Sequence, residues 1–188
     1  MRSSGSMAGD LAAQSINAKP MDRKQSMAPA GAAEPLLLIL GSLPGEASLR
    51  AQRYYAHPQN QFWRLLGSAL GEPLHDLGYE ERLATLAARQ VGLWDVVGEA
   101  RRIGSLDGSL RDVTANRLAD FVAGQPRLRA IAFNGLTAAK VGRRALGDSG
   151  LALIDLPSSS PAYTLGFAAK AARWSVLANF AASATVRQ

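Results

Sequence analysis

Leu36-Leu37-Leu38-Ile39-Leu40-Gly41-Ser42-Leu43-Pro44-Gly45 carries an unbroken apolar run into a short glycine-bounded loop. Consecutive apolar residues, without the alternation of a half-wetted strand, predict a strand covered on both faces. Two further strands read the same way, over 91–97 and 129–133, the latter closed by Asn134-Gly135. A fourth, over 151–156, runs into Pro157 and three serines. Helical spacing fills the intervals. Phe62, Leu65, Leu66, Ala69 and Leu70 form one apolar stripe, and helices are also expected over 80–89, 114–122 (with Thr114 as N-cap), 137–146 and 167–182. Strands alternating with helices predict a single α/β domain of three layers, α/β/α, around a central, mostly parallel four-stranded sheet. In such folds ligands bind at the carboxyl ends of the strands.

Outside this core the chain is less patterned. Residues 1–33 are rich in Ser, Ala, Gly and Met without sustained period, and read as a disordered tail. The domain is expected over 34–182, with a short tail over 183–188. No hydrophobic signal-peptide core precedes it, and no apolar run is long enough to span a bilayer; a cytoplasmic, bacterial-type protein is expected. The 188 residues include no cysteine and only two histidines, His57 and His75. Disulfides, thiol nucleophiles and cysteine-based metal centres are thereby excluded, and no metal or cofactor is expected. Lys and Arg number 21 against 15 Asp and Glu, a net charge of +6 that favours polyanionic partners, nucleic acid first among them.

Four loops fall at expected strand ends. Gly41, Ser42, Leu43, Pro44 and Gly45 form a tight turn whose backbone can approach a ligand, or serve only as a turn. Arg53 to Trp63 concentrates four aromatic rings, amides and an imidazole. Tyr54 and Tyr55 lie in irregular chain, where a ring can stack on a flat heterocycle. Asn60 either orients a water or reads a base edge through its amide, or is simply a helix N-cap. Asn134 either makes an Asn-Gly turn or presents donor and acceptor to a base edge. Ser158, Ser159, Ser160 and Pro161 either contact phosphate through small hydroxyls or form a solvated connection. Tyr163 follows them as a wedge or a core residue.

Taken together these loops resemble the uracil-DNA glycosylase superfamily, above all its hypoxanthine (deoxyinosine) DNA glycosylases and next its mismatch-specific uracil-DNA glycosylases. The matching residues are Gly41 to Gly45, Ala56 to Trp63, Gly92 to Val96, Gly104 to Asp107, Phe133 to Gly135 and Leu156 to Ala162, in order over nearly the whole domain. One departure stands out. The mismatch-specific branch positions its water with an Asn where this chain has Leu43. The hypoxanthine branch also lacks a polar residue there, so the resemblance implies that Asn60 takes this role.

The resemblance further implies stacking of the flipped base on Tyr55. The base edge would meet Asn134 and the Gly41, Ser42 and Leu43 backbone, and Pro44, Gly45 and Ser158 to Pro161 would contact DNA. It implies a monofunctional, cofactor-free monomer acting on DNA that contains deaminated bases, hypoxanthine before uracil or xanthine. The first loop has no lysine for a Schiff base. Two other classes fit parts of the pattern: a catalytically inactive DNA-damage-binding protein on the same fold, motivated by Leu43, and an enzyme acting on free nucleosides or nucleotides.

Overall fold

The computed structural model describes residues 22–102 and 105–183. The chain runs β1 (Asp22–Gln25), β2 (Ala30–Gly31), β3 (Leu37–Gly41), α1 (Glu46–Ala51), α2 (Phe62–Leu70), α3 (Tyr79–Ala88), β4 (Val91–Asp95) and β5 (Val97–Arg102). It continues through a 3-10 turn (Asp107–Ser109), β6 (Arg111–Ala115), α4 (Leu118–Ala123), β7 (Ala130–Asn134), α5 (Leu136–Leu146), β8 (Ala152–Leu156), α6 (Phe167–Trp174) and a second 3-10 turn (Ser175–Asn179).

The main sheet has five strands in the order β2-β4-β3-β7-β8. Its four longer strands are parallel, and the two-residue β2 adds antiparallel to β4. The α/β expectation therefore holds, with one edge strand more than foreseen. The central strand β3 is buried along its whole length, and its side chains alternate between two cores. Leu37 and Ile39 join Phe62, Leu65, Leu66 and Trp174 under α2, α3 and α6. Leu38 and Leu40 join Phe133, Leu118 and Ala138 under α4 and α5. An unbroken apolar strand is what a sheet covered on both sides needs.

A second, three-stranded antiparallel sheet, β1-β5-β6, stands beside the first. The sequence did not predict it, because Val-Gly-Glu-Ala-Arg-Arg and Arg-Asp-Val-Thr-Ala lack a regular apolar alternation. Three expectations are corrected here. Residues 22–33 are not all tail: β1 pairs with β5 from Asp22↔Arg102 to Gln25↔Glu99, and β2 pairs with β4. These strands are held by backbone hydrogen bonds, which leave no hydropathy signature. Thr114 caps no helix; it pairs with Glu99 in the sheet, and α4 starts only at Leu118. The last helix is shorter than 167–182, ending at Trp174 and tightening into 3-10 geometry. Residues 1–21 and 184–188 of the expected tails lie outside the described residues. Among the described residues no helix is long and apolar enough to cross a membrane.

Candidate active site

The carboxyl ends of β3, β4 and β7, with the loop after β8, open onto one cavity of about 420 Å³. Its lining contains all twelve residues singled out from the sequence: Gly41 to Gly45, Tyr55, Asn60, Asn134 and Ser158 to Pro161. It also contains residues that had been given no role, chiefly Asp95 and Asp107.

The first loop owes its shape to what binds its carbonyls. Gly41 O accepts from Val96 N (2.9 Å) and Ser42 O from Val97 N (3.0 Å). The buried Arg102 guanidinium donates to Leu43 O (3.1 Å) and to Pro44 O. Four successive carbonyls are thus engaged by the protein, while the N–H groups of Ser42, Leu43 and Gly45 have no partner among the described residues. Such a loop presents donors, and donors suit developing negative charge. The Leu43 side chain is buried with Leu38, Leu40 and Val96. With its side chain in the core, Leu43 has only its backbone left for the cavity that it lines.

Tyr55 adopts a left-handed backbone conformation (φ 54°), uncommon for a residue with a side chain. One face of its ring stacks on Phe62, with centroids 3.6 Å apart and planes 7° from parallel. The ring is only partly buried and lines the cavity. Its hydroxyl is buried without a well-formed hydrogen bond among the described residues, and the Asn134 side chain lies near enough to act on it. Burial, followed by the Asp95 charge, pushes that phenol well above its ordinary range. Tyr54 behaves differently from the sequence expectation. It is a core residue whose hydroxyl donates to Ala28 O (3.2 Å), so its ring is not free to stack on a ligand.

Asn60 is not the N-cap of α2, which is Gln61, but it lies one residue before that cap and makes a local contact with the helix start. Oδ1 accepts from Phe62 N (3.0 Å), an Asx turn at the start of α2. The residue is half-exposed on the cavity wall. The turn fixes the amide plane, and the second Oδ1 lone pair remains for a further donor.

Asn134 is tied to the Ser-Pro loop. The Ser159 N–H donates to Asn134 Oδ1 (2.8 Å), and Asn134 Nδ2 donates to Ser159 Oγ (2.8 Å). A backbone N–H can only donate, so this pair dictates which end of the amide is oxygen. Ser159 is fully buried and its carbonyl accepts from Gln61 N (3.0 Å). Its hydroxyl faces Asn134 rather than solvent. Ser158 and Ser160 accept from Ser160 N and Ala162 N (both 3.2 Å), which stiffens the loop and leaves each O–H able to donate outward. Gly135 is not a hairpin turn but the link from β7 to α5. Its φ of 98° and a Cβ position 3.1 Å from Ser158 Cβ both require glycine. Lys170 Nζ donates to Tyr163 O (2.8 Å) and Trp174 Nε1 to Pro157 O (3.0 Å), so α6 holds both ends of this loop. Tyr163 itself is exposed at the cavity rim, not part of the core.

Asp95 ends β4 directly beside Gly41 in the parallel register. It is 3% exposed, and its Oδ2 accepts from Ser26 Oγ (3.0 Å). Burial pushes its carboxyl up to about 7, against the opposing effects of Ser26, Tyr54 and Arg102. Asp107 is also raised by burial, while the Ser42 hydroxyl that donates to it (2.6 Å) and Arg102 pull the other way. The sequence signal for Asp95 was an acid closing an apolar strand at the ligand-binding edge of the sheet.

Comparison with known proteins identifies the family and the fold. A family model described as the uracil DNA glycosylase superfamily matches residues 28–180. The hypoxanthine DNA glycosylase of Methanosarcina acetivorans is 44% identical over 126 residues, 67% of this chain and 79% of that protein. The hypoxanthine DNA glycosylase of Methanosarcina barkeri is 42% identical over 113 residues, 60% of this chain and 72% of that protein. A solution NMR structure of a candidate uracil DNA glycosylase from Methanosarcina acetivorans superposes with a TM-score of 0.74 at 37% identity, covering 83% of this chain and 96% of that one.

Proposed function

The chain belongs to the uracil DNA glycosylase superfamily, and from that membership we propose that it hydrolyses the N-glycosidic bond of hypoxanthine in DNA, leaving an abasic site. The observation that carries this reading is the first loop, which lines the cavity with its carbonyls occupied and with N–H groups that have no partner among the described residues. A glycosidic bond breaks with its electron pair passing to the base, so the base gains negative charge as the sugar gains positive charge. Fixed N–H donors stabilise the departing base without reorganising.

A stacked base hides its glycosidic bond, so the nucleotide must first leave the duplex, which costs least for a mispaired base. The flipped base lies on the free face of Tyr55. Asn134 offers its remaining amide hydrogen to the base edge while its other contacts hold Ser159. Asn60 accepts a hydrogen from water through Oδ1 and holds the water oxygen toward the sugar carbon. A neutral amide is a poor base, but a cationic sugar captures even weakly activated water, so positioning matters more than proton abstraction. Pro44, Gly45, Ser158, Ser160 and Pro161 contact the DNA backbone, and Ser159 acts through the loop it anchors. Among the described residues no lysine lines the cavity, so the enzyme releases bases without cutting the strand. Water is the only co-reactant, and the enzyme acts as a cytoplasmic monomer on nucleoid DNA.

The test is a set of duplexes carrying one hypoxanthine, uracil or xanthine, with abasic sites revealed by alkali. Hypoxanthine released fastest, and no release by Asn60→Ala with binding intact, is the expected result. Release that survives Asn60→Ala removes Asn60 from its role. Absence of release from all three duplexes refutes the enzyme.

A further inference from the structure

Asp95 is a buried carboxyl in the wall of the cavity for which the scheme above has no use. Its two oxygens have different settings. Oδ2 is held by Ser26 Oγ, which reaches it from the segment after β1. Oδ1 lies 2.7 Å from the point where a Cβ on Gly41 would sit, and the buried Tyr55 hydroxyl lies 3.1 Å from the same point. Glycine at 41 leaves these two polar groups to converge on the buried end of the cavity, beside the loop that receives the base. The Tyr54 hydroxyl also interacts with this carboxyl, and Oδ1 is the oxygen turned toward Gly41 and the cavity that both residues line.

We propose that Asp95 is the general acid of the reaction, donating its carboxyl proton to the departing base. The inference rests on the purine reading of the substrate. When C1′–N9 breaks, its electron pair delocalises through the five-membered ring and makes N7 basic. Asp95 gives its proton to N7 and becomes a carboxylate. Water adds its oxygen to C1′ and releases one proton, which restores the carboxyl through solvent. The products are the abasic sugar and neutral hypoxanthine, and no further reactant is needed.

The surroundings of Asp95 support this role. The charged and titratable groups acting on it are Tyr54, Arg102 and Asp107, and its own charge acts in turn on Tyr54 and Tyr55. Burial outweighs the Arg102 cation and keeps a substantial fraction of the carboxyl protonated near neutrality. An acid poised near the working pH gives the largest product of correct protonation and driving force.

The experiment is single-turnover base release from duplexes containing hypoxanthine or 7-deazahypoxanthine, across pH 5 to 9, with the full-length wild type, Asp95→Asn and Ser26→Ala. Asn keeps an oxygen for Ser26, and Ser26→Ala removes the latch while keeping the carboxyl. For wild type on hypoxanthine, release is level below about pH 7 and falls about tenfold per unit above it. Asp95→Asn loses about 100-fold on hypoxanthine, loses that alkaline limb, and loses little more on 7-deazahypoxanthine, which has no N7 to protonate. Ser26→Ala keeps the limb. Equal losses by Asp95→Asn on both bases with an unmoved pH profile, or a Ser26→Ala variant that reproduces Asp95→Asn, overturn the acid role and leave the substrate reading intact. A wild type that releases uracil but not hypoxanthine overturns the purine reading and this inference with it.

Discussion

Asn60 and Asp95 line the same cavity in opposite settings. Asn60 is half-exposed, uncharged, and anchored by one bond to the first turn of α2. Asp95 is buried at a strand end, titratable, and held from behind by Ser26. In the proposed reaction the contrast follows the charges that a breaking glycosidic bond creates. The sugar side needs a water held in place, and a neutral amide in reach of solvent does this without attracting a proton. The base side must accommodate negative charge, and there burial makes both fixed N–H donors and a protonatable acid more effective. Burial therefore works for one group and would be wasted on the other.

The contrast can be broken at either end. Asn60→Ala is expected to have the largest effect, a loss of about 10³-fold in base release, in the range for a lost positioning or charge-stabilising group. Duplex affinity, measured by anisotropy, should stay nearly unchanged. Gly41→Ala attacks the buried end instead. Its methyl would lie 2.7 Å from Asp95 Oδ1, closer than van der Waals contact allows, so release should fall about 10²-fold while thermal unfolding remains cooperative, a misplacement effect. A Gly41→Ala enzyme with wild-type rates would mean that the floor yields freely and that the convergence over Gly41 has no catalytic value.

Stability against pH sharpens the same contrast. The folded Asp95 carboxyl titrates at about 7, above its unfolded value of about 3.9. Its contribution is therefore fully present below about pH 4 and is lost as pH rises through about 7. The melting temperature should decline over this window by ~5 °C, and Asp95→Asn should flatten the decline, whereas Asn60→Ala should leave its slope alone. The smallest effects are expected from two hydroxyls. Ser26→Ala removes one partly buried hydrogen bond and should cost about 1 kcal/mol, read from urea unfolding. Tyr55→Phe removes a buried hydroxyl without a well-formed hydrogen bond among the described residues. It should raise stability by up to about 1 kcal/mol while keeping the stacking face, with release reduced less than tenfold.

The parts of this site differed in how plainly the sequence displayed them. The first loop, Asn134 and the Ser-Pro segment stand where apolar strands stop, whereas Asn60 follows α1 and precedes α2; all of them line the cavity. The sequence also displayed Asp95, but without its significance. An acid after Gly92-Leu93-Trp94 looks like an ordinary end to a strand until the N-terminal segment covers it. That cover was itself invisible, since β1 and β2 pair through backbone hydrogen bonds and Ser26 through one hydroxyl. Ser159 was read as a phosphate contact like its neighbours, yet its N–H and hydroxyl are both taken by Asn134. Tyr54 was grouped with Tyr55 as irregular chain, and the reversal of backbone hand at Tyr55 sends the two rings to different places.

The amino-acid sequence by itself determined the layered α/β domain, the strand ends at which a ligand binds, and the chemistry of the residues gathered there. Periodicity and turn chemistry are local properties, and three parallel strands that are almost wholly buried leave a strong hydropathy pattern. Only the tertiary structure decided which of those polar groups are spent and which are available. It turned Leu43 into the core, tied Asn134 to Ser159, closed the loop carbonyls with Arg102 and buried Asp95 beneath Ser26. Those outcomes depend on pairings between residues as far apart as Ser26 and Asp95 or Leu43 and Arg102. Hydrogen bonding and burial across such separations leave no period in the chain.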